Sequence, residues 1–374
     1  MKQFIYADNA ATTKIDDAAF EAMKPYFLEE YGNPSQPYSF GRVANRAINE
    51  SRKIIASCIG ASPKEIYFTS GGTESNNWVI KNPLCYNTII TSCIEHHAIL
   101  KACETVSNRT EIKTLKVNNQ GVIDLNDLDN ALKDSSGNRA ILVSIMTANN
   151  EIGTIQPIAQ IADIVHSRGA IFHTDAVQAV GHISIDVDKM GIDMLSASAH
   201  KFNGPKGIGF LYIKNGIAIN PLIDGGSQEN GMRAGTEAVA SIVGMAEALK
   251  NNIDNLELNT HYVQNLEKCL IEKLESANLD FVRNGSNNRI PGNISVSFKN
   301  CDGEMILHRM DLKGICISTG SACDSVNTQV SHVIKSIGLD SVYANGTIRI
   351  SLGKNNTMED VDTISSELIS IIKN

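Results

Sequence analysis

The run Ala140-Ile141-Leu142-Val143-Ser144-Ile145-Met146 constrains the fold more than any other stretch of the chain. It is almost uniformly apolar over the length of a strand, with none of the alternation of a sheet that faces water. A strand of that kind has to be covered on both sides, as in a parallel sheet sandwiched between helices. Further short β-branched runs lie at Ile66–Thr69, Thr88–Thr91, Ala170–His173, Met194–Ala197 and Gly209–Ile213. Between them, Thr73–Ile80, Ile94–Ser107 and Ile158–Arg168 carry helical spacing. The alternation predicts an α/β fold with a largely parallel sheet.

Helical spacing then persists from Ala238 to Ser276, broken around Asn251–Asn255, which reads as the exit from a first domain. Beyond it, Gly292–Phe298 and Thr347–Leu352 alternate in period two, while Gly303–Asp311 and Ser331–Ile337 look helical. The spacing predicts a smaller α+β domain with a partly solvated sheet. A length of 374 residues agrees with about two domains.

Lys plus Arg is 33 and Asp plus Glu is 41, a net charge of −8 that speaks against nucleic acid or an anionic membrane surface as partner. No run of about 18 apolar residues is present to span a membrane. The residues from Met1 to Asp8 lack the apolar stretch of a secretory leader, so a cytoplasmic location is expected. A chain this long buries its core without covalent staples. Its eight cysteines (58, 85, 93, 103, 269, 301, 316 and 323) therefore need another explanation, and none forms a C-x-x-C pair. Free thiols in a reducing compartment are expected, most of them small buried apolar residues.

The chemistry concentrates in a few segments. In Ser196-Ala197-Ser198-Ala199-His200-Lys201-Phe202-Asn203-Gly204 a strand runs into small residues, a lysine and a glycine turn. A lysine at a strand end, crowded by backbone, can act as a nucleophilic amine, although a lone loop lysine is more often a solvated cation. Phe172-His173-Thr174-Asp175-Ala176-Val177-Gln178 ends a buried-type strand in an acid and an amide, at the strand end where open α/β sheets bind ligands. Taken singly, Asp175 reads as a helix cap. Paired with Lys201 it reads as the protein's side of pyridoxal phosphate chemistry, the acid facing a protonated pyridine nitrogen. Thr69-Ser70-Gly71-Gly72-Thr73-Glu74-Ser75 opens a helix whose free N–H groups suit a phosphate, with Thr73 or Ser75 as the ordinary capping alternative. Glu95-His96-His97 places an imidazole where it can stack on a flat ring, His97 reading as a surface residue. Ser318-Thr319-Gly320-Ser321-Ala322-Cys323-Asp324 holds the one cysteine set among small, flexible residues, the setting an attacking thiol needs.

Together these segments resemble the NifS/IscS-type cysteine desulfurases of the class V aminotransferase group, enzymes of pyridoxal phosphate fold type I. Collinear with them are Tyr6-Ala7-Asp8-Asn9-Ala10-Ala11-Thr12-Thr13, Gly32-Asn33-Pro34-Ser35, Asn149-Asn150-Glu151-Ile152-Gly153, Gly231-Met232-Arg233-Ala234-Gly235-Thr236 and Ile348-Arg349-Ile350-Ser351. The resemblance implies a large cofactor domain over residues 15–255, with a mainly parallel sheet of the seven-stranded type. It implies a small α+β domain over 1–14 and 256–374, carrying the cysteine loop. It makes Lys201 the Schiff-base lysine, Asp175 the partner of the pyridine nitrogen and His96 the ring-stacking histidine. Gln178 would bond the phenolic oxygen, and Gly72, Thr73, Ser198 and His200 the phosphate, joined by Thr236 from the second subunit of a homodimer. Asn33, Asn150 and Arg349 would bind the substrate, Arg349 clamping its carboxylate, and Cys323 would be the catalytic cysteine.

By that resemblance the chain removes sulfur from L-cysteine, leaving L-alanine and a persulfide on Cys323 for a sulfur-acceptor protein that serves iron–sulfur clusters, tRNA thiolation or cofactor synthesis. No ligand spacing calls for a resident metal, and transient ligation of an iron–sulfur cluster by Cys323 is the one metal role left open. Alternatives are a selenocysteine lyase, another class V aminotransferase in which Cys323 is incidental, and an idle sulfur-carrier scaffold. Asp324 follows Cys323 where the family usually has threonine, and Gln228-Glu229-Asn230 stands where His-Glu-Arg is frequent.

Overall fold

The computed structural model describes residues 4–82, 86–135, 137, 140–319 and 330–373. The first strand, β1 (Ile5–Tyr6), belongs to the distal part of the molecule and is followed by the segment that crosses to the main sheet. That sheet contains β2 (Ile66–Thr69), β3 (Thr88–Ser92), β4 (Glu111–Leu115), β5 (Ile141–Ser144), β6 (Ile171–Asp175), β7 (Met194–Ser198) and β8 (Gly209–Ile213). Its seven strands run in the order β2-β8-β7-β6-β5-β3-β4. Only β8 runs against its neighbours, pairing antiparallel with both β2 and β7.

Both faces are covered, as the apolar Ala140–Met146 run requires. On one face Phe172, Leu195, Phe210 and Tyr212 pack against Ile48 and Ile55 of the Ser39–Cys58 helix and Met245 of the Val239–Asp254 helix. On the other, Leu142, Met194 and Leu211 meet Trp78 and Val79 of the Gly72–Ile80 helix and Ile99 of the His97–Val106 helix. The ladder of β5 is shorter than the apolar run, ending at Ser144, but Ile145 and Thr147 still donate to the carbonyls of His173 and Asp175. The helix expected from Ile94 begins at His97, because His96 caps it: Nδ1 accepts the Ala98 N–H.

A separate core lies around β9 (Phe281–Arg283), β10 (Asn293–Phe298) and β12 (Thr347–Ser351), an antiparallel sheet in the order β12-β10-β9. The short β11 (Ile315–Cys316) pairs in parallel with β1, which brings Ala7 into this core. Helices Leu256–Ser276, Gly303–Leu312 and Met358–Lys373 complete it. Every residue of β10 and β12 is buried, while the edge strand β9 is half-exposed throughout, so water reaches this sheet along that edge. Several polar groups in and beside these strands bond one another: Asn284 Nδ2 donates to Ser295 and Ser297 Oγ, and Ser297 bonds Thr347 at 2.7 Å. Period two marks a polar face, and here that face turns inward. Among the described residues, no helix is long and apolar enough to cross a membrane.

Candidate active site

The carboxyl ends of β2, β3, β5, β6 and β7 open onto one cavity of about 520 Å³. Gly72, Thr73, His96, Asn150, Asp175, Gln178, Ser198, His200, Lys201 and Arg349 all line it. The two glycines after β2 are required by geometry. Gly71 has φ +145°, and a Cβ on Gly72 would stand 2.5 Å from Val177 Cγ2. Gly71 thus caps the Gly72–Ile80 helix in place of the Thr73 or Ser75 cap, and the helix N-terminus points its unpaired N–H groups toward the cavity. Glu74, in that first turn, is paired with Arg233 through Nε at 2.8 Å and Nη2 at 3.1 Å. Burial pushes its carboxyl up, but Arg233 and the Ser70 N–H outweigh burial and hold it below the usual range.

Lys201 ends a single helical turn that follows β7 directly. Its Nζ donates to the carbonyls of Ala10 at 2.6 Å and Ala11 at 2.9 Å. Gln178 Nε2 shares the Ala10 carbonyl at 2.9 Å. The N-terminal segment is in turn fastened to the lysine turn, because Thr13 N–H and hydroxyl both donate to the His200 carbonyl. His200 Nδ1 lies 3.1 Å from Thr12 Oγ1. Burial, with Lys201 and Lys206 nearby, lowers the His200 imidazole to about 4, so it is neutral at pH 7.

Asp175 ends β6 and is 5% exposed. Its Oδ1 accepts the Val177 N–H at 3.0 Å and its Oδ2 accepts Asn76 Nδ2 at 2.6 Å. The carboxylate both caps its own turn and faces the cavity, so the two readings of this residue are compatible. His96 stands across from it. Burial pushes its imidazole below the ordinary histidine value, against the opposing pull of Asp175. With Nδ1 occupied as an acceptor, the neutral ring carries its proton on Nε2.

Arg349 comes from β12 and is 4% exposed. Nη2 donates to Asp8 Oδ1 at 2.6 Å and Nη1 to the Asn150 carbonyl at 3.0 Å, while the buried Nε–H has no acceptor among the described residues. The main chain of Arg349 exchanges both hydrogen bonds with Ser318. Cys323 and Asp324 lie outside the described residues. Asn33 and Thr236 are not at this cavity within one chain; they line a separate groove of about 250 Å³. Glu229 is buried, with φ +48°, and receives both terminal nitrogens of Arg52 at 2.8 and 2.7 Å. Sequence reasoning passed over Asn76, Glu95 and Asp8, although each stands next to or inside a segment it had singled out.

Residues 5–364 match the family described as Aminotransferase class-V. The chain belongs to the class-V aminotransferase family. Within that family, a cysteine desulfurase IscS from Dictyoglomus turgidum is 47% identical over 380 residues, covering 100% of this chain and 95% of the relative. A solved structure described as a NifS-like protein superposes with a TM-score of 0.92 at 37% identity, covering 99% of this chain and 100% of its own. Another, SspA in complex with cysteine, gives a TM-score of 0.83 at 35% identity, covering 94% of this chain and 100% of its own. Family membership implies pyridoxal phosphate as cofactor.

The residues present fit that cofactor. A glycine-opened helix N-terminus flanked by Ser198 and His200 suits a phosphate. Among the described residues the buried Asp175 carboxylate is held by neutral donors and has no ion-pair partner, a role a protonated pyridine would fill. Asn76 Oδ1, buried beside it, has no partner either.

Proposed function

We infer that the chain is a pyridoxal phosphate-dependent cysteine desulfurase that takes L-cysteine to L-alanine and retains the sulfur on Cys323. The convergence of Lys201, Asp175 and Arg349 on one cavity carries this reading. Gly72, Thr73, Ser198 and His200 would hold the phosphate, Gln178 the phenolic oxygen, Asp175 the ring nitrogen and His96 the ring face, with attachment at Lys201. Bound there, pyridoxal phosphate supplies an electron sink for charge formed at the substrate Cα.

The remaining work belongs to the side chains. Arg349, oriented by Asp8 and Asn150, offers its unpaired Nε–H to the substrate carboxylate and fixes the Cα–H toward Lys201. The Lys201 amine takes that proton and returns one later, the two Ala carbonyls having kept Nζ at the strand end. The Cys323 thiolate attacks the substrate sulfur. An S–S bond forms as the C–S bond breaks, the thiol is oxidised to a persulfide, and the electron pair left on carbon takes a proton to give alanine.

The reading extends to a homodimer in which Thr236 and Asn33 of one chain complete the site of the other, since both are remote from it within a chain. It keeps residues 15–255 as the cofactor domain and 1–14 with 256–374 as the small one, supported by their separate cores. A protein that accepts sulfur from Cys323 completes the cycle. Cys58, Cys93, Cys103, Cys269, Cys301 and Cys316 are unpaired thiols, which supports a reducing compartment such as the cytoplasm. Burial pushes Cys58 up to about 11 and Cys103 to about 12, which keeps them unreactive. The test is alanine formation from L-cysteine with and without added pyridoxal phosphate. Alanine that requires the cofactor is expected; cysteine consumption without alanine contradicts the reading.

A further inference from the structure

Glu95 precedes His96 and is 0% exposed, more deeply enclosed than Asp175. Ser92 Oγ donates to its Oε1 at 2.6 Å, and the Met146 N–H points at both carboxyl oxygens, at 3.0 and 3.1 Å. Ser92 is the last residue of β3 and Met146 lies just past β5, its neighbour in the sheet. One carboxyl therefore clips together the ends of two parallel strands, and the turn that carries His96 leaves from that clip.

The main chain of Glu95 is held from the other side. Its carbonyl accepts His332 Nε2 at 3.1 Å, and His332 opens the His332–Ser336 helix of the distal part of the molecule. Ile94, Met146, Ile152, Val333 and Ile334 pack into one buried cluster around this junction. The ring of His96 is then fixed in rotation by the Ala98 N–H on Nδ1.

We propose that Glu95 is a positioning residue for the cofactor-facing imidazole: its carboxyl, bonded to Ser92 and Met146, sets where His96 stands over the cavity. The inference rests on the role given to His96 above. Burial pushes the Glu95 carboxyl up to about 8, the Ser92 and Met146 hydrogen bonds opposing it and the Asp175 charge adding to it. Neutral at pH 7, it accepts from Ser92 Oγ and the Met146 N–H and places no second negative charge beside Asp175. Glutamine keeps an oxygen that accepts both bonds and carries no charge. Leucine fills the space and makes neither bond.

The test compares native protein, Glu95→Gln, Glu95→Leu and His96→Ala, each loaded with pyridoxal phosphate. Two readouts are followed, the affinity for the cofactor and the pH midpoint of its visible absorption band. Glu95→Leu should weaken cofactor binding and move the midpoint in the same direction as His96→Ala. Its kcat/KM should fall by up to about 100-fold, the cost of a misplacement near 1 Å. Glu95→Gln should track the native protein in both readouts. A native midpoint and affinity in Glu95→Leu, or Glu95→Gln departing as far as Glu95→Leu, overturns the proposal. An unchanged band in His96→Ala overturns the His96 reading and this one with it. Should Glu95→Leu fail to fold, Ser92→Ala removes one donor to the same carboxyl; a smaller shift in the same direction supports the proposal, and none overturns it.

Discussion

Arg349 and Asp8, 341 residues apart in sequence, meet through a 2.6 Å hydrogen bond from Nη2 to Oδ1. With the Asn150 carbonyl on Nη1, the guanidinium is pinned on two sides and keeps one buried N–H without an acceptor among the described residues. Leaving such a donor unpaired is costly in a folded protein, and in the proposed reaction the substrate carboxylate would offset that cost.

Arg349→Lys keeps the charge and loses the fork. A charged hydrogen bond contributes about 1.5–3 kcal/mol, so kcat/KM for L-cysteine should fall about 10- to 100-fold, mainly through KM. Initial rates of alanine formation measure this. Asp8→Asn keeps the hydrogen bond and should cost less; an unchanged KM in Arg349→Lys would separate the clamp from the substrate.

Lys201→Ala should bind pyridoxal phosphate only reversibly and form no alanine. Borohydride reduction of the imine before gel filtration in denaturant, with an absorbance assay of the protein peak, distinguishes the two modes. Cofactor that stays with the unfolded Lys201→Ala chain would refute attachment at this residue.

Arg233→Ala should leave the Glu74 carboxylate uncompensated in the first turn of the helix proposed to hold the phosphate. Removing one partner of a buried pair costs about 3–5 kcal/mol when enclosure is complete, and this partly exposed pair should cost less. Cofactor affinity should drop, and Glu74→Gln added to Arg233→Ala should restore part of it. Equilibrium dialysis of the single and double variants gives the comparison.

Gly209→Ala would place a Cβ 2.4 Å from the Ala197 carbonyl oxygen and 2.7 Å from Gly71 Cα. Both are backbone atoms that no rotamer change can move. Overpacking of this kind costs about 1–3 kcal/mol, so thermal stability and cofactor affinity should fall together. A stable variant with weakened cofactor binding alone would mean that β8 yields and only the Gly71 turn shifts.

How much of this was legible in advance depends on which force set each feature. Strands buried on both faces declared themselves, and Ile66–Thr69 and Gly209–Ile213 end where their apolar runs end. The edge strand β4 (sequence Glu-Ile-Lys-Thr-Leu) was passed over because only Leu115 is buried and its charges mask the pattern. The Ser39–Cys58 helix escaped notice for a similar reason, its apolar stripe being diluted by Arg, Asn and Glu on the outer face. In the site, residues that present chemistry to the cavity were readable from strand ends. Asp8, Asn76 and Glu95 act through other side chains, and only folding shows which partners they reach.

Stability should also respond to pH through Glu95. Its folded value of about 8 exceeds the ordinary glutamate 4.5, so the contribution is full at low pH. It is lost as pH rises from about 5 through 8, because the fold must then hold a buried anion. Glu95→Gln should flatten that limb in thermal unfolding followed across this range, and parallel curves would show that the carboxyl is already ionised in the fold.

The central claim is that sulfur leaves L-cysteine and rests on Cys323. Mass spectrometry of peptides from the cofactor-loaded protein, after brief exposure to L-cysteine and alkylation, reads this directly. One added sulfur atom is expected on the peptide containing Cys323, dependent on L-cysteine and absent in Lys201→Ala. Alanine production with the added sulfur on a different cysteine, or on none, would contradict it.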